Sequence, residues 1–96
     1  MSADKSVFMN MATAEPLPDM NGELLKRMKA FAEALRSMPG LVDVFVMREE
    51  GSGNLVGLSI WKDKASFESG MASVPPLPSK VAVTKEPPIM RQFTQV

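Results

Sequence analysis

The sequence predicts an α+β domain of β-α-β-β-α-β order, with a four-stranded antiparallel sheet. Three observations predict it: one helical stripe over residues 23–38, a pair of alternating stretches around a glycine-rich turn over 41–62, and a single alternating stretch near each end. No repeat and no linker interrupts the pattern, so residues 1–96 are expected to form one domain.

Residues 6–13 alternate as a first strand, with Val7, Met9 and Met11 on one side and Phe8, Asn10 and Ala12 on the other. Two prolines, Pro16 and Pro18, break regular structure after it. In residues 23–38, Leu24, Met28, Phe31, Leu35 and Met38 recur at steps of four and three, and Leu25 and Ala32 widen the stripe. Asp19 or Asn21 is expected to cap this helix, whose first N–H groups lack partners. Pro39 cannot continue it, and Gly40 suits the exit. Residues 41–48 and 54–62 read as a hairpin around Glu49-Glu50-Gly51-Ser52-Gly53. Residues 63–73 read as a short helix with Asp63 as N-cap and Phe67 and Met71 one turn apart, although Gly70 weakens it. Five prolines make residues 74–88 mainly extended loop, in which Val81–Thr84 is a candidate edge strand. Residues 89–96 alternate as the last strand.

The hairpin register depends on loop length. A three-residue loop, Gly51-Ser52-Gly53, places Val42, Val44 and Val46 on one face with Val56, Leu58 and Ile60; a two-residue loop separates the two sets. Under the preferred three-residue loop the other face holds Asp43, Phe45, Met47, Leu55, Gly57, Ser59 and Trp61. Both faces are then mainly apolar, whereas a sheet with one side in water shows polar residues at every second position. The chain's helices cover one face. A partner's sheet is expected to cover the other, making a homodimer.

Composition excludes several classes of function. Eleven basic residues balance eleven acidic ones and no long basic run occurs, so neither nucleic acid nor a membrane surface is an expected partner. No stretch is long and apolar enough to span a bilayer, and residues 1–5 do not resemble a signal peptide, so a cytoplasmic location is expected. Cysteine, histidine and tyrosine are absent. Disulfides, thiolate metal sites, a Ser-His-Asp triad and the usual haem ligands are therefore unavailable. Met9-x-Met11 is too poor in other soft donors to suggest copper(I), so neither metal nor cofactor is expected.

The order strand, long helix, hairpin, short helix, strand is that of a ferredoxin-like split βαβ arrangement. Met38-Pro39-Gly40 closing the first helix, Leu41-Val42-Asp43-Val44-Phe45, and Leu58-Ser59-Ile60-Trp61-Lys62-Asp63-Lys64-Ala65-Ser66-Phe67 together resemble the dimeric α+β barrel proteins, above all the antibiotic biosynthesis monooxygenase family. In that family a Pro-Gly pair closes the first helix. A tryptophan often ends the third strand, just before a helix opened by a short polar residue. The likeness spans roughly residues 6–72. It implies a homodimer in which two four-stranded sheets close into a barrel. The implied activities are oxygenation of polycyclic phenols or quinols without metal or flavin, haem degradation, lactone isomerisation or dehydration. The haem-degrading branch uses an Asn, a Trp and a ligand His. Asn10 matches the first, Gly70 stands where the Trp lies, and no histidine exists, so haem degradation is not expected.

The candidate site residues each carry two readings. Trp61 is either a core residue or a wall that stacks on an aromatic substrate. Gly57 and Ser59 beside Phe45 and Met47 either interdigitate with their neighbours or leave a void, roofed by Phe31 and Leu35 of the helix, for a flat apolar ligand. Asn10 either pins a neighbouring backbone or orients a phenolic oxygen. Arg91 is either a solvated edge residue or a cation that stabilises an enolate. Two functions follow. In the first, Asn10, Trp61 and Arg91 orient, stack and stabilise a polycyclic phenol or quinol that reacts with dioxygen as its anion, without cofactor. The alternative is a non-catalytic small-ligand-binding or stress-response barrel.

Overall fold

The computed structural model describes residues 7–74 and 82–96. Its elements are β1 (Phe8–Ala14), α1 (Asn21–Leu35), β2 (Leu41–Arg48), β3 (Leu55–Trp61), α2 (Lys64–Ser73) and β4 (Ile89–Thr94). The strands form one antiparallel sheet in the order β2-β3-β1-β4, the ferredoxin-like order with the two ends of the chain paired as β1 and β4. Both helices lie on one face of the sheet. The register puts Phe8, Asn10, Ala12, Ala14, Val44, Val46, Leu55, Gly57, Ser59 and Trp61 on that covered face. Alternation turns Met9, Met11, Phe45, Met47, Val56, Leu58, Ile60, Ile89, Arg91 and Phe93 to the other.

The hairpin register corrects the sequence reading. Glu49 N–H donates to Asn54 O at 2.8 Å and Gly53 N–H to Glu49 O at 3.0 Å, so Glu50–Gly53 forms a four-residue loop. Gly51 and Gly53 both adopt positive φ, which only glycine takes without strain. One residue beyond the expected three shifts the parity. Val44 now pairs with Ser59 and Val46 with Gly57, while Phe45 pairs with Leu58 and Met47 with Val56 on the opposite side. A bulge between Leu41 and Asp43 absorbs Val42, so the strand starts and ends in different registers.

Helix α1 ends at Leu35, three residues earlier than the apolar stripe. Met38 N–H turns back to Leu35 O, and Gly40 leaves with φ +85°. Neither expected cap operates: Met20 is the N-cap residue and makes no side-chain cap bond. Asp19 sits in the preceding turn at φ +65°, and the Asn21 carboxamide oxygen instead accepts from Arg48 Nη2 at 2.9 Å, tying α1 to β2. At α2 the expected cap is present: Asp63 Oδ1 accepts from Ser66 N–H at 2.8 Å.

The core lies between the helices and the covered face. Leu35, Leu55 and Trp61 are fully buried, each contributing about 2–3 kcal/mol by leaving water. Of the expected edge strand, Val81 lies outside the described residues, and Thr84 makes one bridge to Pro16. Leu17 N–H to Val83 O (2.9 Å), Lys85 N–H to Glu15 O (3.1 Å) and a Lys85–Glu15 ion pair (3.0 Å) fasten this segment beside the β1–α1 loop. No helix among the described residues is long and apolar enough to cross a membrane.

Candidate functional site

A cavity of about 300 Å³ lies between the covered face of the sheet and α1. Its floor follows from the strand register. One transverse row reads Val46, Gly57, Ala12, Met90, and the small residues at its centre leave room above them. The next row reads Val44, Ser59, Asn10, Gln92; of its three hydrogen-bonding side chains, Ser59 and Asn10 border the cavity. Leu24, Met28, Phe31, Ala32 and Leu35 of α1 form the roof, being the helical stripe that must face the sheet. Val83, Thr84 and Pro88 close one end.

Gln92 Nε2 donates to Asn10 Oδ1 at 3.4 Å, a long bond from the edge strand to an Asn10 side chain that borders the cavity. Ser59 is buried, and its hydroxyl makes no hydrogen bond to another described residue. The floor thus offers an amide and a hydroxyl one strand apart, about 5 Å, to a ligand that brings oxygen. Arg27 is the only charged residue bordering the cavity among the described residues, and no carboxylate does.

The residues singled out from sequence part into two groups. Asn10, Phe31, Leu35, Gly57 and Ser59 all border the cavity. Trp61 does not. It is fully buried beneath α2, its ring edge-on to Phe67 with centroids 6.0 Å apart, and Phe67 in turn packs on Phe8 at 5.1 Å. Its indole Nε1 is buried with no hydrogen-bond partner among the described residues. Gly70 explains how the indole fits, since a Cβ there would stand 2.5 Å from Trp61 Cη2. Met47 and Arg91 lie on the open face, away from the cavity. Phe45 borders the cavity from its strand, but alternation carries its ring to the open face, a consequence of the corrected register. Val44, Val46, Ala12, Met90, Met71 and Arg27 border the cavity but were not singled out from sequence. The parity shared by Asn10 with Ala12 was the available signal for one of them.

Because the resembled family has a haem-degrading branch, the lining can be set against haem. The soft donors bordering it are the thioethers of Met28, Met71 and Met90. The chain has no histidine, cysteine or tyrosine to ligate the iron beside them, so the donor set does not fit. Among the described residues no group of three or more acidic side chains could hold another metal.

Comparison with solved structures places the fold. A Pseudomonas aeruginosa protein superposes with TM-score 0.82 at 15% identity, covering 99% of each chain. A conserved protein from Methanosarcina mazei Go1 superposes with TM-score 0.79 at 21% identity, covering 94% of this chain and 93% of that one. A heme-degrading protein from Mycobacterium tuberculosis gives TM-score 0.67 at 18% identity over 91% of each. At these identities the likeness is one of fold. No curated protein matches significantly in sequence. The family model of the antibiotic biosynthesis monooxygenases matches residues 7–73, a span that holds both helices, the hairpin and every cavity residue except those of the C-terminal segment. This chain belongs to the antibiotic biosynthesis monooxygenase family.

Proposed function

We propose that the cavity binds a flat phenol or quinol of the polycyclic type, and that the chain oxidises it with dioxygen as a cofactor-independent monooxygenase. The observation that carries this reading is the pair of polar residues Ser59 and Asn10, partners across β3 and β1, on the floor of an apolar cavity. A ring system lies on Gly57 and Ala12 beneath Phe31, and its oxygen meets the Asn10 amide and the Ser59 hydroxyl. Those donors stabilise negative charge on that oxygen, and in a water-poor cavity they do so more strongly than solvent would. The anion then reduces dioxygen by one electron, and the two radicals combine at carbon. The resulting peroxide loses water. On an anthrone a CH₂ becomes C=O, one oxygen atom staying and the other leaving as water with both hydrogens. No carboxylate among the described residues borders the cavity, so the substrate's own acidity is taken to supply the anion.

Oxygen uptake with a panel of anthrones and hydroquinones tests this. Asn10→Ala is expected to slow turnover by about tenfold or more. A rate independent of the protein across the panel overturns the oxygenase reading. Tight binding without turnover in the same panel points instead to the non-catalytic binding protein.

We further propose that a second copy of this chain covers the open face of the sheet. That face presents Phe45, Met47, Ile89 and Phe93 at 40%, 49%, 60% and 44% exposure, beside Met9, Met11, Leu58 and Ile60. An apolar surface this continuous is rare on a monomer, and the family resemblance implies a dimer in which two such sheets close into a barrel. Leu58→Asp is expected to yield a monomer by light scattering, and a wild type of 10.5 kDa in solution at micromolar concentration overturns the dimer.

A further inference from the structure

Among the described strand residues, Asp43 and Arg91 are the charges on the open face of the sheet, and they stand at opposite edges. Alternation turns Asp43 of β2 to that face opposite Ile60, and Arg91 of β4 opposite Met11. Arg48, the other charged strand residue, pairs with Leu55 on the covered side. Between the two edges the face is apolar: one transverse row reads Phe45, Leu58, Met11, Arg91, and the next reads Asp43, Ile60, Met9, Phe93. Neither charge meets an opposite charge within the chain. The Arg91 guanidinium bonds no other described residue. Asp43 Oδ1 accepts from the N–H of Val44 at 2.8 Å, and a carboxylate has further lone pairs to offer beyond that bond. A second copy laid on this face by a two-fold axis can sit in two ways. An axis across the strands stacks β2 on the partner's β2 and β4 on the partner's β4, so like charge faces like along each edge. An axis along the strands stacks β2 on the partner's β4, so acid faces base at both edges. Like charges brought together oppose association, whereas opposite charges fix orientation. The rows of Asp43 and Arg91 are two residues apart, about 7 Å along a strand, an offset that the long arginine stem can span.

We infer that two copies of this chain meet about an axis along the strands, with Asp43 of each copy paired to Arg91 of the other at the two rims of an apolar interface. The inference rests on the dimer proposed above, and it adds which edge meets which and the two residues that decide it. Each pair counts twice in a symmetric dimer and lies at a rim where water screens it, so it selects orientation while the apolar centre supplies most of the affinity.

Sedimentation equilibrium of the full chain measures the dimer constant, and circular dichroism establishes that each variant is folded. Arg91→Glu sets acid against acid at both rims, and Asp43→Lys sets base against base. Each is expected to weaken self-association about tenfold or more. Mixed in equal amounts, the two variants are expected to associate with each other about as tightly as wild type does with itself, because acid again faces base at both rims. Asp43→Asn keeps an acceptor for the Val44 N–H and removes only the charge, so it is expected to weaken the dimer about threefold. If wild type is a dimer and Leu58→Asp a monomer, but both charge reversals associate like wild type, the stacking of β2 on β4 is overturned while the dimer stands. If the reversals weaken the dimer and their mixture does not recover it, Asp43 and Arg91 do not face each other and the inference is overturned. A wild type of 10.5 kDa removes the dimer and the inference together.

Discussion

The two ends of the layer beneath the helices use glycine in opposite ways. At the α2 end, Gly70 lets the Trp61 ring approach the helix backbone, and Phe8, Trp61 and Phe67 pack together as buried core. At the α1 end, Gly57 faces Met28, whose Cε stands 3.5 Å from where a Cβ would be, and the space beside it stays open. The same missing side chain closes a core in one place and hollows a pocket in the other. The partner decides: a rigid indole from the adjacent strand fills the gap, while a flexible thioether and a row of small residues do not. Stability should therefore concentrate at the Trp61 end and binding at the Gly57 end.

The sharpest way to break that contrast is truncation of one aromatic at each end. Trp61→Ala is expected to cost about 4 kcal/mol, and Phe31→Ala, half-buried over a cavity, about half as much. Urea denaturation measures both, and equal losses would mean that the two ends are packed alike. Next in size are the glycines themselves. Gly70→Ala forces a Cβ against the indole and is expected to destabilise by about 2 kcal/mol, whereas Gly57→Ala meets only an ordinary contact and stays within about 0.5 kcal/mol of wild type.

A polar group at each end gives smaller effects. Ser59→Ala removes a buried hydroxyl that bonds no described residue, so stability should hold or rise slightly while ligand affinity falls about fivefold, read by calorimetric titration. Asp63 supplies the smallest expected effect. The Ser66 hydroxyl and then the Ser66 backbone N–H, assisted by Lys62, hold its carboxyl below the ordinary 3.8. A carboxyl lowered on folding adds stability that is present above the unfolded value and disappears as pH falls through the folded one. The thermal midpoint of wild type should thus drop slightly more than that of Asp63→Asn below pH 3.8, and an identical pH dependence would remove Asp63 from the account.

Much of this molecule was legible in the chain because its signals are local. The helical stripe of α1, the Asp63 cap and the alternation of β1 each arise from residues within one or two turns of one another, and each stands in the structure, with α1 stopping three residues short of its stripe. Asn10, Gly57 and Ser59 were recognisable because a polar or small residue inside an apolar strand has few explanations. Phe45 and Met47 were assigned to the cavity through a register that one extra loop residue reversed, Trp61 through a neighbourhood that only the packing of α2 defines, and Arg91 for its charge alone.

What the amino-acid order determined by itself is the element sequence, the antiparallel α+β class, and a sheet too apolar to face water on both sides, because periodicity and propensity act over a few residues. What tertiary structure alone decided is which side of that sheet each hairpin residue occupies, that Trp61 is enclosed while Gly57 is left with space, and that Arg27 meets the cavity edge. Those outcomes turn on the conformation of the Glu50–Gly53 loop, the Val42 bulge and the fit of an indole against Gly70. Each depends on contacts between distant segments, for which the linear order carries no periodic signal.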